Sequence, residues 1–233
     1  MTTRLGVVVP SSNTTAEPEF AAAFPGDATV HTARMPLADV TADALDEMAD
    51  GAADAAERLA DADVDGVAYA CTSGSFLHGA SFAHDLESQL ATAVDAPAVV
   101  TALSVRRALD ALDANAVAVV TPYVADINER ERDYLVDAGF TVETLDGRGI
   151  VDNTVIGELT PDDAVSQVQA AVDPATVDAV FLSCTNYNTL PAVDRLETDL
   201  GVPVVTSNQT TAWDLCRELD LPTMAIPGEL GDA

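Results

Sequence analysis

The chain of 233 residues contains no lysine, and its ten basic residues, all arginine, stand against 39 acidic ones. The missing lysine excludes Schiff-base catalysis, attachment of pyridoxal phosphate and the lysine of a phosphate-binding P-loop. The net charge of −29 leaves no basic face for a phosphate backbone, so nucleic acid is excluded as a partner. An anionic membrane surface is excluded for the same reason.

Cysteine and histidine are also scarce. The three cysteines, Cys71, Cys184 and Cys216, form no CxxC motif, and the three histidines are scattered along the chain. We therefore expect no metal site, and we expect the free thiols of a cytoplasmic protein. No run approaches the 18 apolar residues of a membrane span, and the first residues lack the pattern of a signal peptide.

The excess of acidic residues predicts adaptation to molar salt. A hydrophobic fraction of 48% is that of a globular protein, so the charge does not indicate disorder. Charge repulsion loosens such a fold in dilute buffer, whereas at ~1 M salt a Debye length of roughly 3 Å screens most of the repulsion. We expect the protein to work in the high-salt cytosol of a halophile. The alternative is an acidic protein of an organism that lives at ordinary salt concentrations.

Short apolar runs alternate with alanine-rich amphipathic stretches along the chain, which is typical of an α/β fold with a mostly parallel sheet. The runs are nearly continuous, which indicates strands buried on both faces. The predicted strands are 4–9, 29–32, 66–70, 98–101, 116–121, 141–145, 179–183 and 202–207. The predicted helices are 42–60, 82–94, 104–112, 128–138, 161–172, 193–200 and 211–219.

Three strand ends of the first half recur in the second half at offsets of 112, 113 and 106 residues. The matched segments are 7–10 with 119–122, 67–72 with 180–185, and 96–101 with 202–206. Such a repeat indicates an internal duplication. It predicts two flavodoxin-like parallel-sheet lobes, 1–112 and 113–233, related by a pseudo-twofold axis. The boundary is soft, because the last helix of each half is expected to pack on the other.

Cys71 and Cys184 stand at equivalent positions of the two halves, each after a predicted strand and before a threonine and a polar turn. Functional groups gather at the carboxyl ends of parallel strands. The symmetric pair therefore predicts a thiol on either side of one substrate, one acting as base or nucleophile and the other as acid. A single cysteine at a strand end is more often a small buried hydrophobe. Cys216 has helical spacing and is assigned no role.

Uncharged polar residues follow the other predicted strands, at 11–15, at Tyr123 and at 207–211. With no lysine and few arginines, a bound carboxylate would be held by hydroxyls, amides and backbone N–H groups. The alternative is that these residues only cap helices and form turns.

Taken together, these segments resemble the aspartate/glutamate racemase superfamily, and within it the branch of maleate cis–trans isomerases and arylmalonate decarboxylases. The resemblance covers nearly the whole chain and rests on segments 9–19, 70–76, 121–130, 182–186 and 201–209. The decarboxylases of this branch keep only the second-half cysteine and have glycine in the first-half position. Because this chain has both cysteines, it resembles the isomerases or a racemase.

The resemblance implies a cofactor-independent isomerase that converts maleate to fumarate. Cys71 would add to the double bond and give a succinyl thioether, while Cys184 would supply or remove a proton. We also expect the helix that follows Cys71 to lower the pKa of its thiol. The resemblance further implies a small dicarboxylate substrate and a homo-oligomer, either a dimer or a tetramer. The expected substrate-binding residues are Asn13, Tyr123 and Asn153, with Ser12, Thr72, Ser73, Thr185 and Asn186 beside them.

Three alternatives remain open at the level of sequence. A racemase for an amino acid or hydantoin would use the two cysteines as an acid/base pair. An arylmalonate-type decarboxylase ranks lower, because both cysteines are present. A non-catalytic protein that binds carboxylates would tolerate Cys71→Ser with unchanged affinity for its ligand, whereas an enzyme would lose turnover.

Overall fold

In a computed structural model, which describes residues 2–24, 26 and 28–233, two four-stranded parallel sheets form the centre of the molecule. The first sheet consists of β1 (Arg4–Pro10), β2 (Thr29–Met35), β3 (Gly66–Tyr69) and β4 (Ala98–Val100). The second consists of β5 (Ala116–Thr121), β6 (Thr141–Gly147), β7 (Ala179–Leu182) and β8 (Val204–Thr206). Their orders, β2-β1-β3-β4 and β6-β5-β7-β8, are the same, which confirms the predicted α/β fold of two parallel-sheet halves.

Helices follow most of the strands and cover both sheets. Those of the first half are α1 (Ala16–Ala23), α2 (Ala42–Asp50), α3 (Ala52–Ala60), α4 (Thr72–Phe76), α5 (Gly79–Val94) and α6 (Thr101–Ala111). Those of the second half are α7 (Ala125–Asp137), α8 (Asn153–Ile156), α9 (Pro161–Ala171), α10 (Val193–Leu200) and α11 (Ser207–Glu218). Among the described residues, no helix combines the length and the apolar character that crossing a membrane requires.

Two features differ from the sequence pattern. The predicted helix 42–60 is interrupted at Gly51, which ends α2 and begins α3. The strands β2 and β6 lie at sheet edges and are only partly buried, whereas β3 and β7 are buried throughout. Burial on both faces therefore holds for the central strands and for β4 and β8 at the opposite edges of the sheets, but not for β2 and β6.

Side-chain caps fix the helix starts that adjoin the sheet ends. Thr206 Oγ1 accepts a hydrogen bond from the Gln209 N–H group, and Gln209 Oε1 accepts one from the Thr206 N–H group. This capping box begins α11 directly at the end of β8. The chain therefore turns from strand to helix without a loop, and the first residues of α11 lie at the carboxyl end of the sheet.

The two halves are joined through their last helices. The helix α11 contacts β3 and β4 of the first sheet, and α6 contacts β8 of the second. Between the two helices, the hydroxyl of Thr211 donates to that of Thr101 at 3.0 Å, and Ser104 donates to Asp214 at 2.7 Å. This packing brings the carboxyl ends of both sheets together. The lobe boundaries 1–112 and 113–233 stay a prediction.

Candidate active site

A small cavity lies where the carboxyl ends of β1, β3, β5 and β7 meet. The free space inside it is about 10 Å³, which is room for roughly one water molecule. No aspartate, glutamate, arginine or histidine is among the described residues that line it. The lining residues are Pro10, Asn13, Leu37, Val40, Cys71, Thr72, Ser73, Tyr123, Asn153, Cys184, Thr185 and Asn186.

Both cysteines and all but one of the other predicted site residues line this cavity. The exception is Ser12, which does not line the cavity but accepts a hydrogen bond at 2.8 Å from Nδ2 of Asn153, a residue that does. Sequence reasoning missed the apolar wall formed by Pro10, Leu37 and Val40. Leu37 and Val40 lie in the segment between β2 and α2, and no motif distinguishes them from core residues.

Cys71 is the residue that precedes α4. Its backbone is extended, with φ −149°, and its Sγ lies 3.9 Å from the Ser73 hydroxyl. Burial raises the pKa of the Cys71 thiol to about 11, while the Gly74 N–H group and Ser73 act in the opposite direction. The expectation of a lowered pKa was therefore wrong. The helix α4 has only five residues, and its short run of peptide dipoles does not offset the loss of solvation.

Cys184 has a φ of +98°, in a region that residues with a Cβ rarely adopt. Its N–H group donates to Ser207 Oγ at 3.0 Å, which helps to hold this conformation. Burial raises the pKa of the Cys184 thiol to about 12, against hydrogen bonds from the Tyr123 hydroxyl and the Asn186 N–H group. Strained backbone of this kind is concentrated at functional sites.

The two thiols are equivalent in sequence but different in structure. Cys71 is extended and Cys184 is left-handed, and the pKa of Cys71 is the lower of the two, about 11 against about 12. A negative charge on Cys71 raises the pKa of Cys184, so the thiols titrate as a coupled pair. Ionisation of one thiol therefore opposes ionisation of the other, and a single thiolate beside a neutral thiol is favoured over two thiolates.

Asn13 connects the first half to the second. Its Oδ1 accepts hydrogen bonds from the N–H groups of Thr15 and Ala16 at 3.0 and 2.8 Å, at the start of α1. Because Oδ1 is engaged there, the amide nitrogen is directed elsewhere, and it donates to Thr185 Oγ1 at 3.1 Å. Asn13 therefore presents a donor at the cavity.

Asn186 and Asn153 continue this connection. Asn186 Oδ1 accepts from the Thr14 N–H group at 2.8 Å, and its Nδ2 donates to the carbonyl of Asn153 at 2.6 Å. Asn153 in turn donates to Ser12. The amides at the cavity are thus held in defined orientations by bonds that cross between the halves.

Ser207, the first residue of α11, joins the two cysteine turns. Its Oγ accepts from the hydroxyl of Thr72 at 2.8 Å and from the N–H group of Cys184 at 3.0 Å. The sequence indicated only a polar segment at 207–211, because the partners of Ser207 lie 135 and 23 residues away. One hydroxyl therefore fixes the distance between the two turns.

Two buried glutamates lie behind the Cys184 turn, and sequence reasoning missed both. Glu19 Oε1 accepts from the N–H groups of Thr189 and Leu190, each at 2.9 Å, and burial raises its pKa to about 7. Glu131 accepts from the Ser183 hydroxyl, and burial raises its pKa to about 8. Glu131 stands in a segment rich in charged residues, where a glutamate is usually exposed.

A larger depression between α6 and α11 lies apart from this chemistry. It is lined by Arg107, Ala111 and Asp214 together with Asp110, Arg217 and Glu218, and no thiol faces it. Within the described part of the chain, no group of histidine, cysteine or acidic residues is arranged to hold a metal ion. The small uncharged cavity is therefore the candidate active site.

Comparisons with known proteins agree with this assignment. The family model of arylmalonate decarboxylase matches residues 5–229. The chain is 34% identical to the maleate isomerase of Nocardia farcinica, over 97% of this chain and 93% of that protein. One similar solved structure is a cysteine-to-serine mutant of the maleate cis–trans isomerase of Nocardia farcinica, with a covalently bound succinylcysteine intermediate. It superposes on this chain with a TM-score of 0.92, and the two are 31% identical over 98% of each chain. Another is a cysteine-to-alanine mutant of the maleate isomerase of Pseudomonas putida S16 with maleate. Its TM-score is 0.92, and it is 28% identical to this chain, over 98% of this chain and 95% of that one.

Proposed function

The chain belongs to the arylmalonate decarboxylase family, and from this premise we propose that it is a cofactor-independent cis–trans isomerase that converts maleate to fumarate. The observation that carries the proposal is the pair of thiols, Cys71 and Cys184, at one small uncharged cavity. The succinylcysteine in the similar isomerase is the intermediate that such a pair would form.

The first step is addition to the double bond. The thiolate of Cys71 donates an electron pair to one alkene carbon, and a C–S bond forms while the π bond breaks. The electrons of the π bond take up the proton of the Cys184 thiol at the other carbon. The products are a succinyl thioether on Cys71 and a thiolate on Cys184, so that atoms and charge balance.

The second step is rotation and the third is elimination. Addition has converted the double bond into a single bond, about which the two carboxylates can turn to opposite sides. The Cys184 thiolate then removes a proton from the carbon that it protonated, the C–S bond breaks, and Cys71 leaves as the thiolate. Covalent catalysis of this kind divides one difficult step into easier ones.

We propose that neutral donors hold the two carboxylates, because none of the described residues that line the cavity is cationic. The amide of Asn13, the hydroxyl of Tyr123 and the amide of Asn153 are the direct contacts. Hydrogen bonds to a charged acceptor contribute roughly 1.5–3 kcal/mol each. The neighbouring polar residues, Ser12, Thr72, Ser73, Thr185 and Asn186, orient these donors and the two thiols.

The working environment is also a proposal. The net charge of −29, with no lysine, supports the high-salt cytosol of a halophile. Three free cysteines fit a reducing compartment. A dimer or tetramer of this chain is proposed as the assembled form.

The function is tested by proton NMR of the purified protein in molar KCl with maleate. We expect the fumarate signal to grow with the wild-type protein and with Cys216→Ala, and to be absent with Cys71→Ala. An unchanged maleate spectrum from folded wild-type protein would contradict the assignment. Exchange of the α-hydrogen of an amino acid in D2O would then identify a racemase.

A further inference from the structure

The hydroxyl of Tyr69 is fully buried and has no hydrogen-bond partner among the described residues. Tyr69 is the last residue of β3, two positions before Cys71, so both side chains project to the same side of the chain. A buried hydroxyl without a partner destabilises a fold by about 1–3 kcal/mol. A phenylalanine would fill the same space without this loss, so the hydroxyl requires another explanation.

Gly74 shows what the hydroxyl faces. A Cβ atom added to Gly74 would lie 2.8 Å from Tyr69 Oη and 3.2 Å from Cys71 Sγ. The phenol and the nucleophilic sulfur therefore border the same small space, in the first turn of α4. The third neighbour of that space is the methyl group of Met48, at 2.7 Å, which offers the hydroxyl no hydrogen bond.

We propose that Tyr69 is a positioning residue that donates a hydrogen bond to the Cys71 sulfur when that sulfur is a thiolate. A neutral thiol is a weak acceptor, whereas a thiolate is a strong one, and the bond gains further strength where water is excluded. In the resting protein the sulfur lies outside the hydrogen-bonding geometry of the Tyr69 hydroxyl, so this donor is satisfied when the phenol or the thiolate moves toward the other as the nucleophile forms. Tyr69 is a phenol throughout, since burial and the charge of Cys71 raise its pKa well above the usual value.

The titratable groups that face Cys71 are Tyr69 on β3, Tyr123 after β5 and Cys184 after β7. Tyr123 already donates to Cys184, so each thiol has its own phenol. No charged side chain is among the described residues that line the cavity. The hydroxyl of Tyr69, beside Gly74, is the donor available to Cys71 on the side away from the cavity.

The role of Cys71 as nucleophile rests on the proposed function, but the test does not require maleate. Iodoacetamide alkylation of each cysteine is followed by peptide mass spectrometry as a function of pH, together with the melting temperature in molar KCl. In Tyr69→Phe we expect Cys71 to react about tenfold more slowly at a given pH, a shift of about one pKa unit upward. We expect Cys184 and Cys216 to react as in the wild-type protein, and the melting temperature to be equal or higher.

Tyr134→Phe is the matched control, because Tyr134 carries another buried hydroxyl without a partner among the described residues, but it is not one of the nearest neighbours of the space at Gly74 that Tyr69 and Cys71 border. We expect its melting temperature to be equal or higher and its Cys71 alkylation profile to be unchanged. An unchanged Cys71 profile in Tyr69→Phe would overturn the inference, and so would a lower melting temperature with equal slowing at all three cysteines. If maleate is not isomerised by the wild-type protein, the proposed function fails while the alkylation result still decides the role of Tyr69.

Discussion

At the scale of single residues, the site depends on two identical side chains in different backbone conformations. Cys71 and Cys184 occupy matching places in a duplicated sequence, and the sequence alone predicts them as a pair. The left-handed φ of Cys184 could not be predicted, because it is imposed by Ser207 and the strand end and not by its neighbours in sequence. The backbone therefore presents the two thiols to the cavity in different ways.

The pH dependence of the reaction follows from the two thiols. Burial raises the pKa of Cys71 to about 11 and that of Cys184 to about 12, so the form with a single thiolate is rare at neutral pH. We expect kcat/KM for maleate to rise with pH by about tenfold per unit from pH 7 to pH 9. Initial rates in molar KCl measure this. A profile that is level over this interval would show that Cys71 is already ionised at neutral pH.

A second residue-scale prediction concerns stability and Glu131. Its pKa is raised from 4.5 to about 8, so the folded state keeps a proton that the unfolded state releases. The stability contributed by that proton is complete below pH 4.5 and is lost as pH rises through about 8. The slope approaches ~1.4 kcal/mol per pH unit for one group.

We expect Glu131→Gln to reduce this decline in the free energy of unfolding between pH 5 and pH 8, since the amide stays neutral. Urea titrations in molar KCl give the free energy at each pH. Glu129→Gln, an exposed neighbour on the same helix, should leave the slope as it is in the wild-type protein. Part of the slope will remain in Glu131→Gln, because burial also raises the pKa of Glu19 to about 7. Equal slopes in both variants would refute the assignment to Glu131.

At the scale of elements, the turns that carry Cys71 and Cys184 are both held by the start of α11, a helix of the second half. Ser207 at the start of α11 accepts from both cysteine turns. We expect Ser207→Ala to lower kcat/KM by about 10- to 100-fold, because a small displacement of either thiol has a large effect on the rate. The two donors left without an acceptor should lower the free energy of unfolding by about 1–3 kcal/mol.

Ser88→Ala is the control for this change. Ser88 donates to a backbone carbonyl within α5 and is exposed, so the same atoms are removed far from the thiols. Its rate and stability should match those of the wild-type protein. A Ser207→Ala variant with wild-type kinetics would mean that the two turns keep their distance without this hydroxyl.

The sequence predicts the elements that carry a hydrophobic pattern and misses those that do not. Strands β1, β3, β5 and β7 are found within a residue or two of their predicted bounds. The helices α4 and α8 have five and four residues, too few for a periodic pattern to be recognised, and the eight residues of α1 are only weakly amphipathic. Residues such as Glu19 and Ser207 take their roles from partners that are distant in sequence.

At the scale of the whole molecule, the duplicated fold places one site between two sheets. Each half supplies one thiol, and hydrogen bonds between Asn13 and Thr185 and between Thr14 and Asn186 cross from one half to the other. Neither half alone contains the cavity. The same strand order in both sheets explains why the two equivalent cysteine turns meet there.

The charge of the molecule predicts a dependence on salt. With a net charge of −29, repulsion opposes both the compact state and the approach of a dianion in dilute buffer. At ~1 M KCl the Debye length falls to roughly 3 Å, which screens both effects. We expect the melting temperature and kcat/KM to rise together from 0.05 to 2 M KCl, as measured by calorimetry and initial rates. A decrease in both with added salt would contradict the proposed halophilic adaptation.

The central claim is that Cys71 forms a covalent bond to the substrate while Cys184 moves the proton. Intact-protein mass spectrometry of Cys184→Ser after incubation with maleate in molar KCl tests this claim most directly. The account predicts a gain equal to the mass of one maleate, located on Cys71 by peptide mapping and absent from Cys71→Ala. Isomerisation at the wild-type rate by Cys184→Ser, or an adduct on any other residue, would contradict it.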